Sequence, residues 1–166
     1  MHALYKVSVF IHILSATFWI GGMLFTVAVL VPTLRNQALA SKKGLFFTVM
    51  GEKFSKISWI LFFVLLLTGY TQLLIRGFTN QELLSKTFWQ SHFGNTLGYK
   101  LVLFSIVVII SGLHDFWLGP KTAELIDTKE ADPKTKMFRK LTSWVGRLNL
   151  LLGLAILYFA ISLVRG

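Results

Sequence analysis

Nearly unbroken apolar stretches at about 4–31, 54–75, 96–118 and 142–164 dominate the chain. Each supplies the ~20 residues that a helix needs to cross the hydrocarbon core of a bilayer. In lipid a peptide group finds no water to bond, so each stretch must be helical. The first stops near Pro32. A helical lead from Gly44 is expected to enter the second. The third ends at Gly119-Pro120, a stop signal. Asp132-Pro133 reads as an N-cap followed by proline at the first helical position, so the fourth helix may start there. Short connections favour an up-down-up-down bundle. The expected fold is an all-α integral membrane protein, one transmembrane domain over 1–166.

Within two stretches the polar residues fall on one face. At 3.6 residues per turn Tyr5, Ser8, His12, Ser15, Trp19, Met23 and Thr26 align along the first, and Lys100, Val107, Ser111 and His114 along the third. These faces should turn inward. Gly21 and Gly22 would let a neighbouring helix or a flat ligand approach closely. In an up-down bundle the first and third helices are parallel, so His12 and Lys100 reach similar depth, with His92 and His2 at the same end. His114 lies about 21 Å further along the third helix. Arg35, Glu52, Asp115, Arg147 and Asn149 fall at its level, which predicts two polar clusters, one toward each surface.

Composition sharpens the class. The chain is 54% hydrophobic and only 14% charged, against roughly 25% charged for a soluble domain. It has no cysteine, which excludes disulfides, iron–sulfur clusters and thiolate metal sites. Its four methionines are scattered and form no thioether path for Cu(I). The net charge of +10 is read as helix orientation and contact with anionic lipid rather than nucleic-acid binding. Arg35, Lys42, Lys43, Lys53, Lys56, Lys121, Lys129, Lys134, Lys136, Arg139, Lys140 and Arg147 fall on one side. Lys6, Arg76, Lys86, Lys100 and Arg165 fall on the other. The positive-inside rule places the first group in the cytoplasm and both termini outside. The first apolar run is too long for a cleaved leader.

An ionisable side chain inside a membrane span is costly and is a functional candidate. His12 is either a ligand or an imidazole bonded to a neighbouring Ser or Tyr. Lys100 is either a ligand or a side chain snorkelling to headgroups. His92 is most simply solvated. His114, beside Asp115, is an interfacial side chain or a second site. Arg35, Glu52 and Arg147 pair with each other or with lipid phosphate. Tyr70 and Tyr158 suit an aromatic belt.

The string Lys6…His12-Ile13-Leu14-Ser15…Trp19-Ile20-Gly21-Gly22-Met23-Leu24-Phe25, then Val31-Pro32…Arg35, resembles the first helix of the CopD-type copper-resistance membrane proteins. Thr68-Gly69, Gly98-Tyr99-Lys100-Leu101 and Gly146-Arg147-Leu148-Asn149-Leu150-Leu151-Leu152-Gly153 continue the likeness through all four helices. The same skeleton is similar to the HemJ-type protoporphyrinogen oxidases, four-helix haem b proteins. The copper-resistance likeness implies copper import across the inner membrane from a periplasmic carrier. The HemJ likeness implies haem held axially by His12 and Lys100. This chain departs from the HemJ pattern in lacking a histidine at the end of the first helix and a glutamate after the Arg147–Asn149 pair.

The leading expectation is therefore haem b in membrane electron transfer. His12, with Lys100 or His92, would be axial donors; Trp19 and Gly22 walls; Arg147 a group at the cofactor; and His114 a second site. The alternative is copper held by His12, His92, His114 and His2, since imidazole suits copper. A HemJ-like porphyrin oxidase is the third reading and a subunit of a respiratory complex the fourth. Hydrolytic and transferase motifs are absent, so any enzymatic activity would be a cofactor's redox chemistry. Expected partners are membrane lipids and either a periplasmic copper carrier or an electron-transfer protein.

Overall fold

The computed structural model describes residues 2–34, 36, 43–128 and 132–165. Four long helices dominate: α1 (His2–Phe25), α2 (Lys43–Ile75), α3 (His92–Leu113) and α4 (Pro133–Arg165). No strand occurs among the described residues. Each helix, with its continuation, belongs to a span of 31 to 35 residues apolar enough to cross a membrane. At 1.5 Å per residue such a span is about 47 Å or longer, so its ends extend past a ~30 Å hydrocarbon core.

Large apolar side chains such as Phe10 (66% exposed), Phe63 (67%) and Ile109 (61%) point away from the bundle. In water that much apolar surface would drive aggregation; against lipid it costs nothing. The buried core is narrow: Trp19, Ile20, Met23, Phe62, Val107 and Leu150. Edge-on ring contacts knit it, Trp19 on Phe62 at 5.2 Å and Phe62 on Phe104 at 5.6 Å. The polar faces expected from the sequence turn inward. Ser8, Ser15, Trp19 and Met23 are buried on α1, and Val107 and Ser111 on α3.

α1 packs along α2 and α3 along α4, giving two helical hairpins that meet mainly through α1 against α4 and through side chains between α2 and α3. Both chain ends and the 76–91 connection lie at one end of the bundle, called here the terminal end. The starts of α2 and α4 and the end of α3 lie at the other, the basic end.

Of the expected boundaries, the end of the third helix differs. α2 starts at Lys43, close to the lead expected from Gly44. The third helix does not stop at Gly119-Pro120. It passes through a π-helical turn, His114–Leu118, and continues as Gly119–Thr128. The first helix makes the same turn at Thr26–Leu30 and ends at Thr33, beyond Pro32. Proline lacks an N–H and its ring clashes with the carbonyl four residues back. In each case the residue before the proline bonds one position further back, Gly119 to the His114 carbonyl and Val31 to the Thr26 carbonyl. The widened turn thus accommodates the proline without ending the helix. α4 does begin at Pro133, as Asp132-Pro133 suggested, with the Lys134 N–H donating to Asp132 Oδ1 at 2.8 Å.

The 76–91 connection is built rather than loose. Gly77, at φ 95°, closes α2 with the Phe78 N–H donating to the Leu73 carbonyl at 3.2 Å. Thr79 and Glu82 form a reciprocal capping box for a turn at Asn80–Leu83. Ser85 caps Lys86–Gln90, and Ser91 caps α3. A Cβ at Gly94 would collide with the backbone carbonyl of Phe88. That atom is fixed in a helical turn and cannot yield as a side-chain tip would. Gly94→Ala should therefore lower stability by about 3 kcal/mol, read as a fall in the thermal midpoint of the detergent-purified protein. An unchanged midpoint would refute this packing.

Candidate functional site

At the terminal-end half of the bundle, α1 and α2 meet through a polar column. Ser8 donates to the Thr68 carbonyl at 3.2 Å, and His12, one turn further along, brings Nδ1 to 2.7 Å from Thr68 Oγ1. Gly69 leaves room for the ring, its notional Cβ being 3.5 Å from His12 Cε1. Nearer the terminal end, Arg76 Nε donates to Tyr5 Oη at 3.3 Å.

The hydrogen bonds assign the imidazole tautomer. Thr68 Oγ1 lies 2.6 Å from the Val64 carbonyl oxygen, which can only accept. The single hydroxyl proton is therefore committed there, in the back-bonding habit of threonine within helices. Toward His12 the hydroxyl must accept, so Nδ1 carries the proton and Nε2 keeps its lone pair. An acceptor fixed on one ring nitrogen leaves the other unprotonated, the form in which a histidine binds a metal.

Lys100, from α3, is half-buried and within electrostatic reach of His12. The structure thus places His12 and Lys100 in the same half of the bundle. It leaves His2 exposed, and His92 exposed beside a cavity of about 200 Å³ lined with Phe93, Thr96, Ser162 and Leu163. Among the described residues, no three of His, Asp and Glu gather closely enough to hold a metal ion.

The second polar cluster forms at the basic-end half. The Asp115 carboxylate accepts from His114 Nδ1 at 2.9 Å, Ser55 Oγ at 2.5 Å and Trp59 Nε1 at 3.2 Å. The π-helical turn carries both His114 and Asp115. Asn149 Nδ2 donates to Ser111 Oγ at 2.9 Å one turn deeper. Of the residues expected at this level, Arg147 is exposed and lies over the Trp144 ring, 5.3 Å from its centroid. Glu52 is exposed, and Arg35 lies outside the described residues.

Trp19 is wedged between Phe62 and Gly153, and the position of Gly22 is filled by the edge of Phe54. A cavity of about 460 Å³ lies between α1 and α2, lined by apolar residues including Phe18, Gly21, Phe25, Met50 and Phe54. Neither cavity is lined by His12 or Lys100.

Thr68, Ser55, Ser58 and Trp59 carry these sites from α2, whose polar face the sequence reading did not trace. The same turn-by-turn spacing that aligned the first and third helices would have placed Ser55, Ser58 and Trp59 on one side of the second.

No solved structure matches the chain. An uncharacterized protein of Aquifex aeolicus (strain VF5) is 31% identical over 157 residues, covering 95% of this chain and 93% of that one. The copper resistance protein D family matches residues 49–163, the second, third and fourth helices with both polar contributions of α2. With its four spanning helices and that match, the chain belongs to the copper resistance protein D (CopD) family of membrane proteins.

Proposed function

We propose that this chain handles copper in the bacterial plasma membrane, and that His12 Nε2 takes the ion as cargo at the terminal-end half of the bundle. The observation that carries this reading is the Thr68–His12 bond, which keeps Nε2 unprotonated inside a membrane span. Family membership supplies the metal, and imidazole suits copper. By the positive-inside rule the terminal end faces outward, so His2 and His92 stand where a periplasmic copper carrier would unload. Lys100 beside His12 opposes a cation, so ligation requires the ammonium to swing aside or give up its proton.

Haem b is the second reading, favoured by the pairing of His12 with Lys100, two nitrogen donors from different helices. The present packing does not fit a tetrapyrrole: Gly69 abuts the imidazole and neither cavity reaches it.

The test is the detergent-purified protein loaded with Cu(I) under reducing conditions. One copper per chain is expected in the wild type and in His114→Ala, and none in His12→Ala. A preparation that takes no copper but has a Soret band shifting on dithionite reduction, lost in His12→Ala, would establish the haem reading instead. Neither copper nor haem would sink both.

A further inference from the structure

The basic-end half contains more polar groups than its own hydrogen bonds use. Ser58 is 5% exposed and Ser111 7%. Among the described residues, Ser58 Oγ and Asn149 Oδ1 are buried without a hydrogen-bond partner. Leaving such atoms bare in a lipid-facing bundle costs about 1–3 kcal/mol each, so they point to something that satisfies them.

Their placement is orderly. Ser58 follows Ser55 by three residues and Ser111 precedes Asp115 by four, so they lie about 4.5 and 6 Å deeper on the same faces. On α2, Ser58 falls between Phe54, packed on Gly22 of α1, and Trp59, packed near Gly112 of α3. Ser58, 5% exposed, is therefore on the inward side of α2. Two oxygen-bearing layers therefore stack: Ser55 and Asp115 at the mouth, and Ser58, Ser111 and Asn149 above them. Beyond the upper layer Val107 is wholly buried and Phe62 sits edge-on to Phe104. The column stops there, well short of His12.

We propose that these two layers form a hydrated half-channel that admits small hard cations from the basic end and is closed by Val107 and the Phe62–Phe104 pair. The donors are carboxylate, hydroxyl and carboxamide oxygens, a set that favours hard cations over Cu(I). The Asp115 carboxylate, with about four acceptor sites and three donors bound, retains capacity for one more partner. Water bridging Ser58 and Asn149 would satisfy both orphaned atoms. The site is separate from His12, so it stands or falls independently of copper binding there.

The absence of native cysteine makes the test clean. Ser58→Cys, Ser111→Cys and Val107→Cys are each placed in the full chain in sealed vesicles. Silver ion, a soft, thiol-seeking monovalent cation that reports aqueous access rather than donor preference, is added from one side at a time, and protected thiols are scored by later failure to react with a maleimide. Silver from the basic side is expected to protect Ser58→Cys and Ser111→Cys but not Val107→Cys, and silver from the terminal side none. Asp115→Asn in the Ser111→Cys background should slow protection by at least about tenfold, through loss of the focusing charge. Protection no faster than at Val107→Cys would overturn the proposal. Equal protection from both sides would remove the closure, and an unchanged rate in Asp115→Asn would remove the cation preference. Positions 58 and 111 lie on different helices, so misfolding of one variant leaves the other as a test.

Discussion

Thr68→Val is expected to weaken the proposed copper binding to the purified protein by about 10- to 100-fold, and Thr68→Ser to restore it, the scale typical of losing the partner that orients a metal-binding histidine. Valine keeps the shape of threonine, so the α1–α2 contact survives while the acceptor for His12 Nδ1 disappears. The ring is then free to carry its proton on either nitrogen, and each moment spent with a proton on Nε2 removes the ligand. The carbonyl of Val64 loses only a secondary donor within the helix, so little else changes. The nitrogen resonances of the His12 ring in the metal-free protein check the same claim without copper. They should show Nδ1 protonated in the wild type and in Thr68→Ser, and a mixture in Thr68→Val. A wild type protonated on Nε2 would refute the assignment, whatever the metal affinity.

Asp115→Ala is expected to cost about 3 kcal/mol of stability, and Asp115→Asn less. The carboxylate gathers donors from α2 and α3, and each buried donor left bare carries about 1–3 kcal/mol. Ser55 can turn its hydroxyl to a helix carbonyl. The Trp59 N–H has no such freedom, because its ring is held edge-on to Phe62 at 5.7 Å. Asparagine preserves one acceptor oxygen for it. Thermal unfolding in detergent ranks the three proteins. An alanine variant within about 0.5 kcal/mol of the wild type, the range of an inert surface change, would show that the cluster does not tie α2 to α3.

The two effects lie at opposite ends of the bundle and share no partner, so they should add in the double variant. Copper affinity should follow Thr68 alone, and the unfolding midpoint mainly Asp115.

Much of this was legible one helix at a time. The four apolar stretches, the inward stripe through Ser8, His12, Ser15 and Trp19, and the start of α4 at Asp132-Pro133 each depend on neighbours within a few turns. A helix of fixed period in a solvent that tolerates no bare peptide group leaves few alternatives. Proline at Gly119-Pro120 does not end the third helix. Its missing N–H is a local fact, but whether a helix stops or widens depends on whether packing holds the next turn in place, as it does for Gly119–Thr128 against α4.

From sequence alone came the helical bundle, its burial of His12 and the grouping of polar residues toward its two ends, because each is dictated by spacing along a single helix. Tertiary structure alone decided that Thr68 sets the His12 tautomer, that Asp115 joins Ser55 and Trp59, and that Ser58 Oγ and Asn149 Oδ1 are buried without partners. Those partners stand some 56 to 60 residues apart where they bond across α1–α2 and α2–α3. No periodicity within a helix says which face of a neighbour it will meet.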